Sequence, residues 1–308
     1  MKCIFCLDEK PPSDEHVIPE SVGGTLRIQE VCRDCNSKLG QLVDNPFSNS
    51  FLVQLARFSH SLGGKRGAVP FPFGGMGTLD TGQRVSLDRD FVPHVKRVLD
   101  IQKGTDDQLV VNFTADASDK DKLEQMLGKP LRKAMAVEFP TWTSEKMDEE
   151  VAKVMAYARA YTPVLEDRPI GKQWKIGLDD LLLEFLKIAY EIWFRAFGYP
   201  WVENSATARN IRAVVLGRGL SVGIGGQLFC PPLPLPLSNP STNHCIVLLN
   251  GACVIRLFNF CCTVECEETD SRFMVKQEAA RIILQDFRAG TLVEEMLPDF
   301  LAKHLPEA

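Results

Sequence analysis

Apolar positions along the N-terminal part of the chain predict short helical structure that follows a polar, cysteine-rich start. From Pro46 to Leu62 the large apolar residues return mostly every three or four positions, which predicts an amphipathic helix. Residues 63–82 are rich in glycine and proline and predict a loop or linker. Residues 1–45 hold too few large apolar side chains for a core of their own, and segments of this kind usually need a bound metal.

The rest of the chain mixes predicted strands and helices. The segment Asp179–Phe197 is apolar around most of its circumference, so we predict a central, buried helix. The pair Asn250-Gly251 predicts a hairpin between 243–249 and 252–265. Further strands are predicted at 83–87, 92–102, 108–114 and 132–139, and further helices at 119–127, 145–161 and 205–216 and over most of the last thirty or so residues.

Length and composition favour a folded protein of two domains. The chain has 308 residues, of which 45% are hydrophobic and 24% charged. We predict a small module at 1–62, a linker at 63–82 and a larger mixed α+β domain at 83–308, serving targeting, oligomerisation or regulation. No apolar run approaches the ~18 residues of a membrane span, and no apolar leader precedes the first cysteines, so we expect a cytoplasmic protein.

The ten cysteines divide into two groups. Cys3, Cys6, Cys32 and Cys35 form two Cys-x-x-Cys pairs, a spacing typical of a tetrahedral zinc site with four thiolates. A reducing compartment favours metal ligation over disulfides for such pairs, so we predict one structural Zn²⁺. The others lie in or beside apolar runs, where cysteine is usually a small buried side chain: Cys230, Cys245, Cys253, Cys261, Cys262 and Cys266.

A second motif is interleaved with the cysteine pairs. The block Asp14-Glu15-His16-Val17-Ile18-Pro19 and a Gly23-Gly24 turn lie between them, and Asn36 directly follows the second pair. In these residues the sequence resembles the HNH endonucleases, of the zinc-containing type that includes the phage recombination endonuclease VII. The resemblance covers residues 1–45 and extends at most to the helix ending at 62. It implies an α+β protein with an N-terminal zinc-bound ββα-metal (His-Me finger) module and a larger mixed C-terminal domain.

The resemblance also implies a role for each motif residue. His16 would be the general base, since histidine titrates near neutral pH. Glu15 and Asn36 would hold a catalytic Mg²⁺ or Mn²⁺ through oxygen atoms. The sequence departs from the family pattern at Gly40, where many members have a third ligand. Asp44 is then either a weak candidate for that ligand or a cap for the following helix.

Charge adds a constraint on the nucleic-acid partner that the resemblance implies. The net charge of −5 is unusual for a protein that binds phosphates, so binding would depend on metal, on a small basic strip or on a partner protein. The predicted phosphate contacts are Arg33, Lys38, Arg57, Lys65 and Arg66, although basic residues in such a strip are equally compatible with an ordinary solvated surface. We expect DNA as substrate, no membrane, and a homo-oligomer or an activating protein as a further partner.

Other interpretations stay open at this point. The module could be an inert zinc-stabilised unit that binds nucleic acid or protein, although such a unit has no need of an acid beside a histidine. It could also be a nickase acting on branched DNA. A role in anti-phage defence is suggested by family association alone. The remaining histidines stand alone in the sequence and are expected to be packing or surface residues: His60, His94, His244 and His304.

Overall fold

The computed structural model describes residues 1–64, 67–105, 108–162, 167–174, 176–217, 226–228, 242–265 and 270–304. By their internal contacts they fall into two compact units. Met1–Pro72 and Lys175–Ala308 make up the first unit, and Phe73–Trp174 makes up the second. None of the helices in these described ranges is long and apolar enough to cross a membrane.

The N-terminal module has two strands followed by helices, as predicted. Strands β1 (Pro12–His16) and β2 (Arg27–Cys32) pair antiparallel. Helical structure then runs through α1 (Arg33–Leu39) and a π-helical turn over Gly40–Asp44. It continues in α2 (Asn45–Asn49) and α3 (Phe51–Ser59). The helix predicted from Pro46 is therefore confirmed as two helices, which break where Ser50 adopts an extended backbone.

The second unit combines small antiparallel sheets with helical segments. Its main elements are β3 (Met76–Thr78), β4 (Arg84–Leu87), β5 (Pro93–Val95), β6 (Val98–Lys103), β7 (Leu109–Thr114), α4 (Lys129–Glu138) and α5 (Ser144–Ala160). One sheet has the order β3-β4-β5, and β6 pairs with β7. The strand predicted at 132–139 is wrong, since this segment belongs to α4. Its buried residues Leu131 and Met135 stand four positions apart, the spacing of one helix face.

The C-terminal part of the first unit begins with a long helix and is dominated by a sheet. Its main elements are α6 (Leu178–Phe197), α7 (Tyr199–Asn204), α8 (Ala206–Val215), β8 (Gly226–Leu228), β9 (Asn243–Leu249), β10 (Ala252–Leu257), β11 (Phe260–Glu265), β12 (Arg281–Asp286), β13 (Thr291–Met296) and α9 (Leu297–His304). Within the described residues the sheet is antiparallel with the order β13-β12-β9-β10-β11-β8.

The sheet explains one wrong prediction. The hairpin at Asn250-Gly251 is confirmed, but the last thirty residues hold β12 and β13 before α9 and are not mostly helical. Both faces of the sheet are covered, so the adjacent residues Ile282 and Ile283 are buried in different apolar clusters. A strand buried on both faces loses the alternation of apolar and polar residues that identifies strands.

One apolar core joins the module to distant parts of the first unit. Ile4 and Ile18 of the module belong to the same buried cluster as Phe185 of α6 and Ile255 of β10. Helix α6 is central and buried, as predicted. Residues 1–62 pack with α6 and the sheet, so the two units group residues differently from the predicted domains. The predicted domain boundaries at 62 and 82 stay a prediction.

Candidate nuclease site

The four paired cysteines converge at the start of the module. Their sulfur atoms all lie within 4.8 Å of one another, and Cys6 Sγ is 3.9 Å from Cys32 Sγ. A tetrahedral Zn²⁺ with bonds of about 2.3 Å separates its sulfur ligands by about 3.8 Å. The backbone N–H of Cys32 also donates to Cys3 Sγ at 3.4 Å. Geometry and donor chemistry therefore fit a structural zinc that fixes the N-terminal turn to the start of α1.

Strand β1 carries Glu15 and His16 into the site. The register shifts between Ser13 and Glu15, where β2 has one more residue than β1. Such bulges increase the local twist and change the direction of side chains. Glu15 is buried with 2% exposure, His16 is half-buried, and both line one cleft of about 540 Å³. Glu15 and His16 thus line the same cleft although they are adjacent in the strand.

The His16 ring has the properties of a base. Its Nε2 has no hydrogen-bond partner among the described residues. Burial, followed by the positive charge of Arg27, lowers the pKa of His16 below its ordinary value. A lowered pKa keeps the imidazole neutral at neutral pH, and the neutral ring is the form that accepts a proton.

Asn36 connects α1 to the strand that carries this pair. Its side-chain nitrogen donates to the carbonyl oxygen of Asp14 at 2.7 Å and lies 3.3 Å from Ser13 Oγ. Both bonds use the nitrogen, so the amide oxygen is the atom that a cation would take. Asn36 also lines the cleft beside Glu15 and His16. The structure thus brings together the three predicted catalytic residues.

A lysine from α6 lies against the carboxylates of the site. Lys187 Nζ is 2.8 Å from Glu15 Oε1 and donates to Asp44 Oδ1 at 2.7 Å. Burial opposes the charged form of Lys187, but the surrounding carboxylates, Glu184 first, raise its pKa well above the ordinary value. Burial also raises the pKa of Glu15, against the lowering effect of Lys187. The lysine is therefore held as an ammonium ion.

Asp44 has a different role from the helix cap considered from the sequence. Its side chain makes no capping bond and instead accepts from Lys187. The cap interpretation is wrong because the chain is already helical through Gly40–Asp44, which leaves no helix start at this position. Asp44 lines the cleft with Glu15 and stays a candidate ligand.

The predicted phosphate contacts lie in different environments. Arg57 is 8% exposed and lines the cleft; its Nη1 donates to Ser48 O at 3.4 Å, while its Nε has no partner among the described residues. Arg33 and Lys38 are exposed on α1. Lys65 and Arg66 lie outside the described residues. Of the residues that can be placed, Arg57 is therefore the one inside the cleft.

Residues from the C-terminal sheet and from α6 form hydrogen bonds with backbone carbonyl oxygens of the module. His244 and Gln285 bond the carbonyl oxygens of Val22 and Gly23, respectively. Gly23 has a φ of +90°, and a Cβ there would lie 2.6 Å from the Cβ of Phe287, so this turn requires glycine. Tyr190 of α6 donates to the carbonyl oxygen of Ile4. The loop between β1 and β2 is thus fixed by residues far away in the sequence.

The remaining cysteines and histidines are packing or surface residues wherever they are described. Cys245, Cys253, Cys261 and Cys262 are buried in the sheet, as expected, and Cys230 and Cys266 lie outside the described residues. His244 is fully buried, and His60 stacks on Phe258 at 5.4 Å. His94 pairs with Asp88, and His304 is exposed. In the described part of the chain, no other three His, Cys, Asp or Glu residues bring their ligand atoms within 4.8 Å of one another, as the four paired cysteines do.

Sequence reasoning overlooked Lys187 and its two acidic neighbours. Glu184, Lys187 and Glu191 stand three and four positions apart in α6, the spacing of one helix face, and all three are fully buried. Charged residues are almost never fully buried without a partner. A charged face within an otherwise apolar helix was therefore a usable signal of a polar site inside the core.

The cleft has donors suited to a hard divalent cation. Glu15 Oε1 is buried and is contacted by Lys187 Nζ at 2.8 Å, and Asp44 and the Asn36 amide add oxygen donors. Such a small set of protein oxygens fits an ion that keeps several of its water ligands, as Mg²⁺ does. The residues therefore fit the cation by chemistry, although Lys187 already neutralises part of their charge.

The segment that forms the site matches a known protein family. No curated protein and no solved structure was found to match the chain. The model of one protein family does match, over residues 3–52, and the matched range contains all four paired cysteines together with Glu15, His16, Asn36 and Asp44. That family is described as HNH endonuclease, so the N-terminal module of this chain is an HNH endonuclease domain.

Proposed function

We propose that the protein is a metal-dependent endonuclease that hydrolyses phosphodiester bonds in DNA. The observation that carries the proposal is the meeting of His16, Glu15 and Asn36 at one cleft, beside a four-cysteine cluster that fits zinc. An unpartnered histidine nitrogen next to buried oxygen donors suits the activation of water. The location and the oligomeric state of the protein stay predictions.

Each residue has a distinct part in the proposed reaction. His16 Nε2 accepts a proton from the water molecule that attacks phosphorus. Glu15 and Asn36 hold the divalent cation, with Asp44 as a further candidate. When bound, such a cation stabilises the negative charge that develops on the phosphate and on the leaving oxygen. Arg57 contributes a fixed positive charge in the cleft and orients the phosphate.

A plasmid-nicking assay tests this proposal. Supercoiled DNA is incubated with the purified chain and Mg²⁺, Mn²⁺, Ni²⁺ or Zn²⁺, and open-circular and linear products are quantified. We expect conversion with Mg²⁺ or Mn²⁺ that chelation stops. Branched and single-stranded DNA and RNA, tested alongside, show which nucleic acid is preferred. If a fully zinc-loaded preparation cuts none of these substrates with any of the ions, the proposal fails.

The ligand residues should respond to metal in a way that the base does not. Glu15→Gln and Asn36→Ala are expected to raise the Mn²⁺ concentration needed for half-maximal cleavage by at least about tenfold, and excess Mn²⁺ should partly restore the rate. A weakened ligand is offset by mass action, whereas a missing base is not. His16→Ala is therefore the matched comparison, and its rate should stay low at every Mn²⁺ concentration. Equal Mn²⁺ dependence in all variants would contradict the assigned roles.

Arg57 should contribute to phosphate binding. Binding is measured with Ca²⁺ in the His16→Ala background, so that the DNA stays intact. Arg57→Ala is expected to weaken binding and to reduce the slope of log K against log salt by about 1, and Arg57→Lys should retain that slope. Arg33→Ala and Lys38→Ala should each produce a similar change if these exposed residues also contact phosphates. Arg209→Ala, on the exposed side of α8, is the control and should leave the slope unchanged.

A second function is favoured by one observation. Lys187 pairs with both Glu15 and Asp44, and a site neutralised in this way suits a zinc-stabilised module that binds nucleic acid without cutting it. This alternative predicts DNA binding that is independent of Mg²⁺ and Mn²⁺, together with no cleavage. The nicking assay combined with the binding assay separates the two functions.

A further inference from the structure

Lys187 is surrounded by oxygen atoms in the way that a bound metal ion would be. Its ammonium group is fully buried and lies 2.7–2.9 Å from Asp44 Oδ1, Glu15 Oε1 and the carbonyl oxygen of His16. Carboxylate and carbonyl oxygens are the ligands that hard divalent cations prefer. Part of the cation site in the cleft is thus already occupied by a positive charge belonging to the chain.

The lysine has a second set of acceptors on its own helix. Glu184 Oε1 lies 3.7 Å from Lys187 Nζ, and Glu191 stands one turn further along α6. Both glutamates are fully buried, and apart from the ion pair of Glu184 with Lys187 their carboxyl oxygens have no donor within hydrogen-bond distance among the described residues. Buried carboxyl groups without partners are costly, so an acceptor pair in this state is suited to receive an ammonium group.

We propose that Lys187 is an internal counter-ion that competes with the divalent cation for Glu15 and Asp44. Binding of the cation moves the ammonium group towards Glu184 and Glu191. The inference rests on the proposed function, which places the divalent cation at Glu15 and Asn36. It adds a residue outside the HNH endonuclease domain that sets the affinity of that domain for metal.

The charge of Lys187 determines whether this residue lowers or raises the affinity of the site for the divalent cation. The ammonium group is fully buried, so it does not reach a phosphate in the cleft. An ammonium held on the same carboxylates as a divalent cation repels it strongly, because water does not screen charges at this depth. A lysine that only oriented the two carboxylates would increase metal affinity, whereas a competing lysine decreases it. The sign of the change in metal affinity therefore distinguishes the two roles.

Binding of Mn²⁺ to the full chain tests the proposal without any cleavage. Free Mn²⁺ is measured by electron paramagnetic resonance in titrations of the native protein, Lys187→Met and the double variant Glu184→Gln/Glu191→Gln. We expect Lys187→Met to bind Mn²⁺ at least tenfold more tightly. The double variant should bind it more weakly, because a glutamine amide, unlike a glutamate carboxyl group, cannot carry a negative charge that offsets the displaced ammonium group. Unchanged or weaker binding by Lys187→Met would overturn the proposal.

Controls separate this result from a folding defect and from failure of the proposed function. Zinc content and thermal unfolding report the fold of each variant. If Lys187→Met does not fold, Lys187→Met/Glu184→Leu replaces the buried charged pair with apolar residues, a change that proteins often tolerate, and it should show the same tighter binding. Equal Mn²⁺ binding by native and variant proteins overturns the inference alone. No Mn²⁺ binding by any of them overturns the cation of the proposed function and the inference with it.

Discussion

Replacing His16 with alanine is expected to lower DNA cleavage by about 100- to 10,000-fold, the usual contribution of a general base. The side chain lines the cleft, and its Nε2 has no hydrogen-bond partner among the described residues, so its loss breaks no bond of that atom within the described fold. Zinc content and the unfolding temperature should therefore stay close to native values. Initial nicking rates at saturating Mg²⁺ and Mn²⁺ measure the effect.

A matched histidine control accompanies this variant. His304 is exposed on α9, outside the cleft, and His304→Ala should cleave DNA at the native rate. If His16→Ala cuts as fast as this control, the base lies elsewhere and the nuclease assignment of the cleft is refuted. If the activity of His16→Ala falls together with its zinc content, the histidine acts through the fold.

Replacing Cys32 with serine is expected to abolish zinc binding and the cooperative unfolding of the first unit. Structural zinc contributes about 10–16 kcal/mol in small zinc-binding peptides, while whole domains are stable by only about 5–15 kcal/mol. Cys32 and its neighbour Val31 belong to the same buried cluster as α6 and the sheet, so the damage should extend beyond the module. Zinc per chain and the thermal melt give the measurement.

A buried cysteine outside the zinc cluster provides the control. Cys253 is fully buried in β10, and Cys253→Ala should retain one zinc per chain with a modest loss of stability. A Cys32→Ser protein that lacks zinc and still melts like the native protein would mean that the apolar contacts of the module suffice without metal.

Local signals predicted the N-terminal module and several elements beyond it. Cys-x-x-Cys spacing anticipated the sulfur cluster, and the apolar circumference of 179–197 anticipated the buried helix α6. The wrong assignment in the last thirty residues has a physical cause. Apolar runs such as Ile282-Ile283-Leu284 have the same pattern in a helix and in a strand covered on both faces, so long-range pairing decided the outcome.

Only those residues of the site that lie close together in the sequence were predicted. Glu15, His16 and Asn36 lie within one motif, and the structure places them at one cleft. Lys187 was not anticipated, because its contact with Glu15 depends on how α6 packs against the module. Pairing over that distance in the chain leaves no periodicity in the sequence, although charges in an apolar helix indicated that some partner was needed.

The dependence of the module on later residues has a consequence for protein synthesis. The motif residues are synthesised well before Tyr190, His244 and Gln285, which bond the module. At about 5–20 residues per second, translation from residue 62 to residue 285 takes on the order of 10–50 s. During that interval the nascent chain contains the histidine but not the residues that fix its surroundings. A nascent chain on a ribosome that stalls within this stretch therefore contains the motif but lacks residues that hold the module in place.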